Sequence, residues 1–238
     1  MPNELSVTVV IPTIDEMQIK DVISVICNTC DPADVACVIA VYGEKTTESH
    51  LSFLHSLQRD FPAVNIRVLK QPGHGPGDAA YAGCAAASGT HVVILGADME
   101  NDPHDIGKMI ELSKEAPDSV IKASRRLKKE TFAQYPKFKK IFNVIFQRIM
   151  CIAFHSKQTD ITYAFQLTPL KYLQQYPFMP DHGAFAIELA LLPEIYGVPY
   201  IEIPSAVGRR TEGCSHTDFR YYFGYLKVGI KIYRNKRR

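Results

Sequence analysis

Short β-branched apolar runs and longer stretches with helical spacing take turns along the first half of the chain. The run "LSVTVVIP" (residues 5–12) has the composition of a strand and is closed by proline, which predicts a buried strand. The stretch after it, "EMQIKDVISVIC", sets Ile19, Val22, Ile23 and Ile26 on one side of a helix. The alternation recurs three times: "VACVIAVY" before "ESHLSFLHSLQRDF", "VNIRVLK" before a glycine loop and "GDAAYAGCAAAS", and "HVVILGAD" before "HDIGKMIELSKEA". Strands separated by helices of this length are parallel and joined by right-handed crossovers. The expected fold is α/β, a doubly wound, mostly parallel sheet with helices on both faces. Ligands of such sheets bind beyond the carboxyl ends of the strands, where Asp15, Gly75 and Asp98 lie.

"SVIKAS" reads as a fifth strand, and after it the regularity breaks. Residues 125–140, "RRLKKETFAQYPKFKK", are basic and run into an apolar helix. There Phe138, Ile141, Phe142, Ile145, Phe146, Ile149 and Ile152 form one wide apolar face. Such a face suits the core or, given its basic flank, a membrane interface. Short elements follow, "YAFQLT", "PLKYLQQY", "FAIELALLPEIYG" and "YIEIP", then a polar loop and the aromatic-rich helix "FRYYFGYLKVGIKIY". No internal repeat or low-complexity linker interrupts them.

Composition narrows the picture. With 238 residues, 46% hydrophobic and 22% charged, the chain suits one ordinary globular domain. No apolar run reaches the ~18 residues of a membrane span, and the start carries no basic leader, so a cytoplasmic location is expected. The six cysteines read as buried thiols, with "CNTC" at Cys27–Cys30 as helix-end packing rather than half a zinc site. Net charge is only +2, yet the last twelve residues hold six Lys or Arg and no acid. That end is either a solvated terminus or a patch for anionic lipid, and no nucleic-acid partner is expected.

Two segments carry candidate chemistry. "QPGHGPGDAAYAG" follows a strand and opens a helix, so its backbone N–H groups suit a phosphate. Gly75, Gly77 and Ala80 also imitate a dinucleotide fingerprint, with Asp98 as a ribose ligand, which keeps an NAD(P)-dependent oxidoreductase open as an alternative. Against it, two strand–helix units precede this one, whereas the fingerprint belongs to the first. In "GADMENDP", Asp98 and Glu100 are one residue apart, a spacing that on a strand aims both carboxylates the same way. A diphosphate leaving group needs a hard cation held by such oxygens. Asp102, before Pro103, reads as a cap for the next helix.

Taken together, these motifs resemble the family 2 inverting glycosyltransferases of the GT-A fold, a Rossmann-like nucleotide-diphospho-sugar transferase sheet. Within that family the similarity is greatest to dolichol-phosphate mannose synthases and polyprenyl-phosphate glycosyltransferases. "VIPTIDE" is similar to the family's Val-Ile-Pro-Thr-Tyr-Asn-Glu, which implies that Pro12, Thr13, Asp15 and Glu16 line the nucleotide pocket. "GPGDAAYAGCAAASG" looks like its Gly-Leu-Gly-Thr-Ala loop, so Gly75 and Gly77 fall in the donor site. "GADMENDP" resembles its Asp-Ala-Asp motif, making Asp98 and Glu100 the ligands of Mg2+ or Mn2+. "DITYAFQL" places Asp160 near the reaction centre, and "RTEGCSH" puts Arg210 and His216 at phosphate-contacting positions, with Arg125 at another. The resemblance implies a transferase domain over residues 1–217, followed by a C-terminal helix and basic tail over 218–238.

The chain departs from the family at three places. "VYGEKTTE" lacks the aspartate that commonly recognises the base, Gly96 replaces the first aspartate of the metal motif, and His216 replaces a lysine. The implied reaction is in-line transfer of a sugar from a nucleotide-diphospho-sugar to a polyprenyl phosphate or glycan, with inversion. An ionised phosphate needs no base, whereas a hydroxyl needs one, for which Asp160 and Asp181 are the candidates. A polyprenyl acceptor implies peripheral contact with an anionic membrane on its cytoplasmic face. The departures leave a noncatalytic nucleotide-binding domain as a further alternative.

Overall fold

A computed structural model of the protein describes residues 5–128, 137–175, 185–208 and 220–236. The chain begins with strand β1 (Val7–Thr13), helix α1 (Ile19–Thr29), β2 (Val35–Tyr42), α2 (Glu48–Asp60), β3 (Ile66–Lys70) and α3 (Gly75–Ala85). It continues with β4 (His91–Ile94), α4 (Asp105–Glu115) and β5 (Val120–Ser124). Then come α5 (Lys137–Phe154), β6 (Gln166–Pro169), α6 (Leu170–Gln175), α7 (Phe185–Ile195), β7 (Tyr200–Pro204) and α8 (Arg220–Lys236).

The strands form one seven-stranded sheet in the order β3-β2-β1-β4-β6-β5-β7. Strands β1 to β4 are parallel, β6 runs antiparallel to both β4 and β5, and β7 is parallel to β5. The expected α/β, mostly parallel sheet is therefore observed. The chain steps outward from β1 to β2 and β3, then returns to place β4 on the other side of β1. Strand order reverses between β1 and β4, and sheets of this kind take their ligands in the crevice beyond the carboxyl ends there.

Both sheet faces are covered because the parallel strands are apolar on both sides. Ile19, Val22 and Ile23 of α1, Leu54 and Leu57 of α2, and Ile106 and Met109 of α4 close one face. Ala79, Ala80 and Cys84 of α3, with Leu170, Leu173 and Leu189, close the other. Helix α3 lies very near β1: a Cβ on Gly83 would overlap the side chain of Val10, the residue flanked by Ile39 and Ile94 in the sheet. The described cysteines, Cys27, Cys30, Cys37, Cys84 and Cys151, are free thiols, and burial pushes Cys84 up to about 12.

Two expectations need correction. Strand β4 ends at Ile94 and does not carry Asp98, because the Gly96 N–H is taken by the Asn101 side chain (2.9 Å) and the backbone turns. The single wide apolar face of α5 is in fact two. Phe146, Met150 and Phe154 enter a cluster with Ile187, Leu191, Val228 and Ile232, whereas Ile141, Ile145, Ile149 and Ile152 are exposed. The side chains of Phe138 and Phe142 lie outside the described residues. Phe146 meets Tyr225, Met150 meets Gly229 and Phe154 meets Tyr233, each pair one turn beyond the last. Helices α5 and α8 thus run parallel, in contact along two turns.

Filling the α3–β1 contact tests this packing. Gly83→Val is expected to lose about 1–3 kcal/mol of stability through overpacking. The check is a urea titration in which the midpoint falls while the slope stays unchanged.

Candidate active site

At the crevice, the chain leaving β4 makes one more ladder bond, Leu95 N–H to Val10 O (3.1 Å), and then turns. Asp98 Oδ1 accepts from the Glu100 N–H (3.1 Å), closing a local turn around Met99. Met99 has φ 57°, the left-handed region that non-glycine residues seldom occupy. Backbone strain therefore sits between the two carboxylates, and a turn rather than strand alternation brings them to one end of the sheet. A second segment holds the turn in place. Gly208 N–H donates to Glu100 O (3.0 Å), and Asn101 forms an isolated antiparallel bridge with Val207. Asp102 accepts from the His104 N–H (3.1 Å) where α4 begins.

The donor set can be tested for a metal. Among the described residues no group of three or more His, Cys, Asp or Glu is assembled for one. Two carboxylates nonetheless fit Mg2+ or Mn2+, which take hard oxygen ligands and commonly use one or two carboxylates, with substrate phosphates and water completing the shell. Asp181, Arg210 and His216 lie outside the described residues.

Beside this turn is a buried ionic network. Arg125, at the end of β5, donates from Nε to Asp160 Oδ2 (2.7 Å) and from Nη2 to Asp160 Oδ1 (2.9 Å). Nη2 also donates to Thr162 Oγ1 (2.8 Å), and Thr162 Oγ1 donates to Asp160 Oδ1 (3.1 Å). Burial by itself would push the Asp160 carboxyl up. The Arg125 guanidinium, with Lys122 and Thr162, overrides it and holds the group below the usual carboxylate range. Asp160 is thus a poor proton acceptor, which counts against the general-base role considered for it. Arg126 Nη2 donates to Asn143 Oδ1 (2.6 Å), and Asn143 Nδ2 donates to Thr162 (3.0 Å), tying α5 to the same network.

Tyr163 packs against the network. Its ring lies under the Arg125 guanidinium, 4.5 Å from the centroid. Burial pushes its phenol up; Asn101, Arg125 and Ser205 pull it down, and Glu100 adds to the rise. Its buried hydroxyl has no hydrogen-bond partner among the described residues.

The positions expected to line a nucleotide pocket also gather at the carboxyl edge. Pro12 and Thr13 end β1. Glu16 Oε2 folds back to accept from Thr13 Oγ1 (3.0 Å) and the Ile14 N–H (2.6 Å), while Asp15 Oδ1 accepts from the N–H (2.9 Å) and hydroxyl (3.1 Å) of Thr47, the cap of α2. Both carboxylates shape the edge of the crevice. Gly75 and Gly77 open α3 after β3, and the Asp78 carboxylate accepts from the N–H of the capping residue His74 (2.8 Å). Pro76 there has no N–H to offer.

Several polar residues of this region gave no sequence signal strong enough to single them out. Gln71 stands over Gly43, its Nε2 2.5 Å from where a Cβ there would be. Among the described residues, Gln71 Oε1 and Thr46 Oγ1 are buried without a hydrogen-bond partner. Lys122, in the middle of β5, is 1% exposed and donates to Gln158 Oε1 (2.9 Å). Glu188, in the first turn of α7, is equally buried. The available clue for the last two was a charge inside an apolar run, in "VIKAS" and "FAIELALLP".

Known proteins share this architecture. Glucosyl-3-phosphoglycerate synthase from Mycobacterium tuberculosis, solved with Mn2+, UDP and glucosyl-3-phosphoglycerate, aligns with a TM-score of 0.71 at 16% identity, over 96% of this chain and 80% of that one. The same enzyme with Mg2+ and UDP aligns at 0.70 and 15% identity, over 96% and 79%. With Mn2+, UDP-glucose and glycerol 3-phosphate it aligns at 0.60 and 17%, over 87% and 73%. At such identities the likeness establishes the fold, GT-A. The family itself follows from sequence, since residues 8–176 match the model of "Glycosyl transferase family 2", and no room is left for the oxidoreductase alternative. The chain belongs to glycosyl transferase family 2, and as an enzyme it is a glycosyltransferase.

Proposed function

We propose that the chain transfers a sugar from a nucleotide-diphospho-sugar to a polyprenyl phosphate, with inversion at the anomeric carbon, as in the dolichol-phosphate mannose synthase branch. The observation that carries this reading is the strained Asp98–Glu100 turn at the strand reversal, together with the buried Arg125–Asp160 pair. Asp98 and Glu100 would hold Mg2+ or Mn2+, which neutralises charge growing on a departing diphosphate. UDP with Mn2+ or Mg2+ in the structural neighbours supports the metal assignment.

The chain's own residues supply position and charge. Asp160 is committed to Arg125 through both oxygens, so it is ill suited to form a covalent sugar intermediate, which favours single displacement and inversion. It is equally ill suited to deprotonate a hydroxyl. A phosphate acceptor arrives already ionised and removes that need, which favours it over a glycan. With strands about 4.8 Å apart, the end of β3 is about three spacings from β4, a span suited to a nucleoside whose diphosphate lies at Asp98. Gln71 and Thr46 are then placed to read the base, the carboxamide offering both a donor and an acceptor. The acid-free helices α5 and α8 favour peripheral contact with an anionic membrane, and the free thiols suit a cytoplasmic face.

Asp98→Ala with Glu100→Ala is expected to abolish both the Mn2+-dependent rise in melting temperature with UDP-sugars and sugar transfer to a short polyprenyl phosphate. In the unsubstituted chain, NMR of the product reads the inverted anomer. A nucleotide-induced shift without turnover on any acceptor would favour a noncatalytic binding domain.

Gln71→Ala is expected to raise the donor KM about tenfold with kcat nearly unchanged, the signature of lost uniform binding. Steady-state kinetics against donor concentration checks it.

Asp160→Asn leaves a buried guanidinium unpaired and is expected to cost about 3–5 kcal/mol at neutral pH. Because the folded-state carboxyl is held below its unfolded value of about 3.9, the pair's contribution is complete above that value and fades as pH falls through the folded one. Urea titrations from neutral to acidic pH should show this acid limb in the original chain and its flattening in the variant.

A further inference from the structure

Helix α5 carries a second apolar surface that the core does not use. Its buried side chains, Phe146, Met150 and Phe154, recur every fourth residue. Ile141, Ile145, Ile149 and Ile152 recur at intervals of four, four and three, which places them in one ridge on the opposite side of the helix. The ridge is open to solvent, from 50% exposure at Ile145 to 74% at Ile152. Helix α8, parallel to α5 and touching it at Gly229, exposes Leu226 and Ile230 in turn. Exposed apolar side chains gathered in this way mark a binding surface rather than chance exposure.

Charge identifies the occupant. Helix α5 includes Lys137, Lys139, Lys140 and Arg148, helix α8 includes Arg220, Lys227, Lys231, Arg234 and Lys236, and neither contains an Asp or Glu. Arg148 stands three residues after Ile145 and four before Ile152, within the ridge itself, and it is exposed. Lys227, Lys231 and Arg234, also exposed, surround Leu226 and Ile230. A second copy of this face would set cation against cation. An anionic bilayer meets both demands, with isoleucines at the acyl boundary and the cations reaching up to lipid phosphates. No described helix is long and apolar enough to cross a membrane, so the pair lies on the surface.

We propose that the paired outer faces of α5 and α8 dock the chain onto an anionic bilayer, with Ile141, Ile145, Ile149 and Ile152 inserted. This deepens the lipid-acceptor reading, and it explains how such an acceptor would be met. Asn143, between Ile141 and Ile145 in sequence, bonds Arg126 and Thr162 of the buried network, so the docked helix is also a wall of the site. A lipid phosphate at the bilayer surface then approaches from the side where Arg125 and Arg126 are held.

The test reads membrane binding, not turnover. The full chain is mixed with vesicles of phosphatidylcholine alone, or of phosphatidylcholine with phosphatidylglycerol, and separated by flotation. It is expected to float with the mixed vesicles, to do so poorly with the neutral ones, and to be released by high salt. Ile145→Asp with Ile149→Asp should weaken flotation by on the order of tenfold or more, whereas Ile145→Leu with Ile149→Leu should preserve it. These side chains are exposed, so circular dichroism and melting should match the original chain. Asp98→Ala should float normally, which separates docking from sugar transfer. Absence of flotation with mixed vesicles, or full flotation of the double aspartate variant, overturns the proposal. So does a solution dimer that the double aspartate variant dissociates in a chain that ignores vesicles.

Discussion

The buried pair between Arg125 and Asp160 is the interaction on which the site's arrangement rests. Withdrawing two charges from water costs several kcal/mol each, and the pair survives only because nearly every polar atom is used. Asp160 accepts from the guanidinium at both oxygens and from Thr162, and the Arg125 backbone N–H adds a further contact at 3.3 Å. The arginine follows β5, the aspartate follows α5, and Asn143 of α5 bonds Arg126 and Thr162 beside them. Two distant parts of the chain are thereby fixed relative to one another. For a reaction governed by placement and charge, this preorganisation is the protein's main contribution.

The two glycines that depart from the family pattern show how the crevice adapts. A Cβ at Gly96 would come within 2.9 Å of Asp98 Oδ1, so the missing side chain leaves room for the aspartate two residues on. At Gly43 the space is taken by Gln71, from the next strand. In each case a neighbouring polar side chain stands where a Cβ would be.

Helix α5 links the crevice to the outside of the molecule. One of its faces is sealed by aromatic packing against α8, another carries Asn143 to the Arg126 and Thr162 side chains, and a third presents isoleucines to solvent.

The order of strands and helices was legible in the sequence, because period 2 and period 3.6 are local properties that a parallel α/β chain cannot hide. The carboxylates Asp98 and Glu100 were legible as a pair, but their backbone setting was not. The sequence suggested strand alternation, whereas a turn closed by Asp98, Asn101 and the distant Gly208 holds them. Sequence alone determined the elements and the family. Tertiary structure alone decided that Asp160 is spent on Arg125, that Gln71 fills the gap at Gly43, and that the isoleucines of α5 face outward. Those outcomes depend on neighbours dozens of residues away, and periodicity along one segment carries no information about what will be packed against it.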